Sequence, residues 1–210
     1  MIEICTVNQN KSKFKGMRTK RKNGLMVLLA ITTVIITGQS ILAQQFNLNN
    51  ATSDISIFGT SSLHDWEEVV EKQSGSIQLV TEGQMDITNL DVTIEAESIK
   101  SHKSGMDKNT YKALNTKEYK TITFKMVEAK KILDMGNSSY QVTVSGKLSI
   151  AGVTKTKDLS FKMKVESTTV ALEGETTFNM TDFGIEPPTA LFGTITTGDE
   201  ITIKFKSIFN

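Results

Sequence analysis

His64 and His102 are the only imidazoles in the chain, so acid–base or metal chemistry built on histidine would have to start from one of them. His64 is followed by Asp65, but neighbours along a strand point to opposite faces, which disfavours a dyad and favours an ordinary rim or turn pair. His102 stands in a Lys/Ser-rich stretch and reads as solvated. Neither has the further ligands at suitable spacing that a zinc site needs. Asp182-Phe-Gly184 copies a kinase tripeptide without the Gly-rich phosphate loop or catalytic-loop motif that accompany it. Gly146-Lys147 lacks the earlier glycine of a phosphate-binding loop. General acids and nucleophiles do not cluster, and no catalytic residue is assigned.

The chain is better supplied with apolar side chains at a period of two. In Tyr140–Val165, Val142, Val144, Leu148 and Ile150 alternate with polar residues, Ala151-Gly152 reverses the chain, and Leu159, Phe161, Met163 and Val165 alternate again. This predicts a long antiparallel hairpin with one buried face. The same period places Phe124 and Met126 on one strand, Phe178 on another, and Ile203 with Phe205 near the end. Phe124, Met126, Val144, Leu148, Phe161, Met163, Phe178, Phe183, Ile203 and Phe205 are the candidates to line an interior. Eight strands enclose a volume that side chains can just fill or that holds one small ligand, so packed core and ligand cavity both fit this pattern.

These positions need strands to carry them. Alternation marks a first strand at Asp54–Gly59, interrupted by Gly59-Thr-Ser-Ser62 and resumed at Leu63–Glu71, and further strands at Ile77–Val80, Leu90–Ala96, Thr121–Val127, the two arms of the hairpin, Val170–Met180 and Ile201–Phe205. Between Ser101 and Glu118 the spacing changes to three and four, with Asp107 early and Lys112 late, which predicts one short helix. The expectation is an all-β, eight-stranded antiparallel barrel over residues 54–210 with one helical insertion. Residues 44–53, polar and Asn-rich, read as a flexible lead-in. Residues 1–43 read as a signal peptide: a basic stretch, the apolar run Leu25–Ile36, then small and polar residues up to Ala43, with Met17 as an alternative start. The run is shorter than the roughly 20 residues of a membrane span.

Cleavage after Ala43 would change the balance of charge. It removes both Arg residues and the lone Cys5, and leaves 17 Lys against 22 acidic residues, a net charge of −5. An acidic surface without arginine argues against nucleic acid and against a guanidinium-built anion site. The remaining chain has no disulfide, no thiol nucleophile and no cysteine to carry a lipid anchor. Periplasmic or secreted placement follows, with no membrane span left after cleavage.

Four motifs stand in order along this chain: Gly59-Thr-Ser-Ser-Leu-His-Asp-Trp66, Leu114-Asn-Thr-Lys-Glu-Tyr-Lys-Thr-Ile-Thr-Phe124, Gly146-Lys-Leu-Ser-Ile-Ala-Gly-Val-Thr-Lys155, and Asp182-Phe-Gly-Ile185 followed by Gly198-Asp-Glu-Ile-Thr-Ile203. Together they resemble the YceI-like family of secreted, polyisoprenoid-binding, lipocalin-like domains. The resemblance implies a non-catalytic barrel that holds a long apolar chain, a polyisoprenoid or an isoprenoid quinone-like molecule, with no cofactor beyond that lipid. Thr121 stands where the family often has Pro, Thr181 where it often has Arg, and the Leu-His-Asp-Trp form of the first motif marks a divergent branch. The helix Met106–Leu114 and the loop Gly184–Gly193 are expected to cover one opening. The second reading is a filled barrel acting as an interaction or structural module of the envelope or a stress response through its loops. Homodimer formation is compatible with either.

Overall fold

Alternation of apolar and polar side chains produces twelve strands and one α-helix over residues 43–210, the part of the chain that the computed structural model describes. The expected signal peptide falls almost wholly outside these residues. In chain order the strands are β1 (Gln44–Asn47), β2 (Asp54–Ser61), β3 (Trp66–Val70), β4 (Gln73–Val80), β5 (Asp86–Glu95), β6 (Ile99–Lys100), β7 (Thr121–Asp134), β8 (Ser139–Ile150), β9 (Val153–Val165), β10 (Val170–Asn179), β11 (Thr189–Ala190) and β12 (Ile195–Phe209). Helix α1 (Ser104–Ala113) lies between β6 and β7.

The strands form one antiparallel sheet in the order β1-β4-β5-β7-β8-β9-β10-β12-β2-β3-β6, with β11 on β12. The sheet curls into a barrel-like form. Its first strand meets its last long one, where Asn47 N–H donates to Asn210 O (2.9 Å) and Asn210 N–H donates to Asn47 O (2.8 Å).

Twelve strands replace the expected eight because two long segments are kinked, β3 into β4 and β5 into β6, and because the short strands β1 and β11 are added. Only Glu71 and Lys72 separate β3 from β4, and a 3-10 turn, Ala96–Ser98, separates β5 from β6. The two corners are stitched together: Glu71 N–H donates to Ser98 O, Glu95 N–H to Lys72 O, and Lys72 N–H to the buried Ser98 hydroxyl. Each kink thereby keeps its backbone groups satisfied while the chain changes direction.

Residues 44–53 are not a flexible lead-in. Gln44–Asn47 pairs with Ser76–Leu79 of β4, Phe46 is buried in the core, and Asn50–Thr52 forms a 3-10 turn capped by the Asn49 side chain. Polar composition hid a strand because only one of its four residues is buried.

The β8–β9 hairpin is as expected, with Ile150 opposite Val153 and a two-residue turn. Ala151 and Gly152 both take positive φ (48° and 81°), the twist that joins adjacent antiparallel strands with so short a loop. Strand β7 continues to Asp134, past the expected end at Val127. Register shifts between Met126 and Glu128 and between Ala129 and Lys131 turn Val127 outward, 62% exposed. Such bulges bend a strand and break its period of two.

Candidate functional site

The inside of the curled sheet divides along its length. At one end, Phe46, Ile77, Leu79, Val142, Val144, Met163, Val170 and Phe209 are almost completely buried against one another. Towards the other end a cavity of about 510 Å³ opens between the strands. This volume falls within the roughly 300–1,000 Å³ typical of small-molecule pockets. Its walls come from β2, β3, β5, β7, β8, β9, β10 and β12, and they are overwhelmingly apolar.

Glycines set the shape of the wall where aromatic rings lie flat against it. Gly174 of β10 pairs with Phe161 on one side and Phe205 on the other. A Cβ there would sit 2.8 Å from Phe205 Cζ and 2.9 Å from Phe161 Cβ, closer than packed atoms allow. The two rings meet edge to face, 6.3 Å between centroids. Gly59 does the same for its partner Trp66, whose ring occupies the space a side chain at 59 would take. The Trp66 indole is then held by donating Nε1–H to Thr60 O (3.0 Å). The spacing from Gly59 to Trp66 in the first motif is therefore a packing requirement of the cavity wall.

Six of the ten predicted interior residues border the cavity: Phe124, Leu148, Phe161, Phe178, Ile203 and Phe205. The other four do not. Val144 and Met163 are fully buried in the filled half, and Met126 is packed partly buried against the same core. Phe183 is buried in the core, edge to face with the lining residue Phe178 at 5.1 Å. All four face inward, but three lie at the wrong depth and one packs on a lining residue. Ile55, Ile57, Leu90, Val92, Ile94, Ile122, Leu159 and Leu172 also line the cavity. Alternation marked several of these as inward-facing, and nothing in the period ranked them as wall.

Helix α1 covers the cavity with Met106, Asn109, Thr110, Ala113 and Leu114, and the late loop adds Ile185, Pro188, Thr189 and Ala190. Both expected covering segments thus border it, although the helix begins at Ser104 and the loop contains β11. Leu63 and His64 stand at the same edge. A His64 ring nitrogen lies 2.7 Å from the Asp65 carbonyl oxygen, so the imidazole is engaged with backbone. Among the described residues, no group of three or more His, Cys, Asp or Glu side chains is placed to hold a metal ion. Among them, too, no helix is long and apolar enough to cross a membrane.

One charged side chain in the wall was not foreseen. Glu68 of β3 is 3% exposed, between the inward-facing Trp66 and Val70, and Thr110 Oγ1 of α1 donates to its Oε1 at 2.6 Å. Burial pushes its carboxyl above the ordinary carboxylate range, the Thr110 hydrogen bond pulls it back in part, and the nearby Asp107 carboxylate adds to the rise.

A barrel-like antiparallel sheet around an apolar cavity, with a helix laid over it, is a lipocalin-like layout. The YceI-like domain model matches residues 46–209, and the chain belongs to that family. Solved structures share the fold. BcnA of Burkholderia cenocepacia superposes with a TM-score of 0.60 at 20% identity, over 77% of this chain and 98% of that one. A polyisoprenoid binding domain from Saccharophagus degradans, implicated in plant cell wall breakdown, gives 0.63 at 14% identity, over 79% and 97%. The YCEI protein of Campylobacter jejuni gives 0.52 at 20% identity, over 68% and 84%. No curated protein sequence matches.

Proposed function

We propose that this protein is an exported, non-catalytic lipid-binding protein that encloses an apolar chain of isoprenoid type in the cavity beneath α1, for carriage or storage. The cavity itself carries the proposal: about 510 Å³ of interior walled by Ile, Leu, Val, Phe and Met, in a fold whose opposite half is tightly packed. A sheet that needed only stability would fill both halves. Enclosure removes the chain's surface from water at about 25 cal/mol per Å², so affinity needs few polar contacts. Family membership and the name of the Saccharophagus domain support a polyisoprenoid as the chain. The placement of export rests on the basic-then-apolar order of residues 1–43. The residues that border the cavity, Phe124, Leu148, Phe161, Phe178, Ile203 and Phe205 among them, are the proposed ligand contacts.

The test is organic extraction and mass spectrometry of the protein purified without detergent from its native host. A stoichiometric polyprenyl species is the expected result. A folded protein that yields none and takes up no added isoprenoid would overturn the proposal and leave the surface-acting module as the better account.

A further inference from the structure

Enclosing a hydrocarbon does not require Glu68. A carboxylate in an apolar wall is costly to keep unless something pairs with it, and Thr110 serves only Oε1. Oε2 takes no hydrogen bond among the described residues, and Glu68 borders the cavity. No lysine forms an ion pair with Glu68 among the described residues. Asp107 adds negative charge from α1. The charge felt by Glu68 is thus that of another acid, itself flanked by Lys100 and His102, and residues 43–210 contain no arginine.

Resting on the proposed enclosure of an apolar chain, we propose that Glu68 and Thr110 form a head-group anchor, selecting chains that end in a hydroxyl, an alcohol or hydroquinone, against the same chain ending in phosphate. A hydroxyl donates to Oε2 and forms a charge-assisted hydrogen bond, stronger than a neutral one. A phosphate brings a second anion against a buried carboxylate, where low dielectric strengthens the repulsion. An ether can only accept and leaves the carboxylate unpaired. Lys103, which also borders the cavity, is among the described residues the lysine in the lining that could favour a phosphate, held at the α1 edge.

Trp66, the only tryptophan of the chain, borders the cavity two residues from Glu68 and reports binding through its fluorescence. The experiment titrates the protein at about pH 8 with farnesol, farnesyl methyl ether and farnesyl phosphate. Farnesol is expected to bind about tenfold or more tighter than either analogue, as the loss of a hydrogen bond to a charged group requires. Glu68→Gln should bring the phosphate within a few-fold of the alcohol, and Thr110→Val should narrow the alcohol's margin over the ether. The comparison of three ligands on the unmodified chain stands even if a variant fails to fold. Equal binding of all three would overturn the anchor and leave enclosure intact. Preference for the phosphate, lost in Lys103→Ala, would also overturn it. Binding of none would overturn enclosure itself, and the anchor with it.

Discussion

Glu68 carries a cost that the fold would otherwise avoid, and the sign of that cost can be measured. Its carboxyl is held above its ordinary value, chiefly because burial disfavours the charged form. Below the unfolded-state value both states are protonated, and the residue adds no pH-dependent penalty. As pH rises through the elevated folded-state value, the unfolded state releases its proton more readily, and folding loses stability. Glu68→Gln keeps an oxygen to accept from Thr110 but cannot ionise. The variant's melting temperature relative to the parent should therefore rise as pH is raised from below to above the ordinary carboxylate range. A difference that stayed constant across that range would show that Glu68 is not buried as described. No signal at the level of sequence marked this residue: Glu67 and Glu68 are adjacent and chemically identical, and only the face of β3 separates an exposed acid from a buried one.

At the scale of elements, α1 has no fully buried residue; Ala113 packs against the core at its end, and polar contacts tie the rest of the helix to the sheet. The single Tyr111 O–H proton is shared between the Glu97 and Ile99 carbonyls (2.9 and 3.2 Å), and Thr110 reaches Glu68. Its first turn has no side-chain cap from Lys103. Asp107, in that turn, instead ties the helix to the chain before it, accepting from the Ser101 backbone N–H at 2.8 Å and the Ser101 hydroxyl at 2.6 Å. These bonds to Ser101, the hydroxyl's first, hold its carboxyl below the ordinary carboxylate range. A group with a lowered folded-state value stabilises above its unfolded value and ceases to as pH falls through the lowered one. Amide protection in α1, corrected for intrinsic exchange, should therefore fall in acid, and in Asp107→Asn it should be reduced at neutral pH and lose that acid step. Protection that is the same in parent and variant at neutral pH would remove Asp107 from the role. The helix was legible from its change of spacing, as was the β8–β9 hairpin from two clean runs of alternation. The second half of β7 was not, because its two bulges reset the phase of the alternation at Val127 and Lys130, so that no period of two survives to be read. Nor was β1, which is too short for a period to show.

Across the whole molecule, the interior combines a filled half that supplies stability with a hollow half that supplies the site. A period of two tells which face a side chain presents but not how far along the sheet it lies. Val144 and Phe161 therefore looked equivalent, although one is locked in the core and the other borders the cavity. Depth depends on strand register, and register is set by pairings between distant segments, such as β12 with β2, which no local pattern encodes. The division makes stability and binding separable. Met163, fully buried in the filled half, should cost about 2–5 kcal/mol as Met163→Ala, through lost contacts and the hole left behind. Ile203 borders the cavity, so Ile203→Trp has space to extend its ring there and should leave stability within about 1–2 kcal/mol of the parent while excluding a ligand. Urea unfolding and farnesol titration of both variants check this together. Farnesol should still raise the melting temperature of Met163→Ala, because any ligand that binds only the folded state stabilises it. It should do nothing for Ile203→Trp. If instead Ile203→Trp unfolded as readily as Met163→Ala, the region beside Ile203 would be as tightly packed as the core, and the protein would have no interior site.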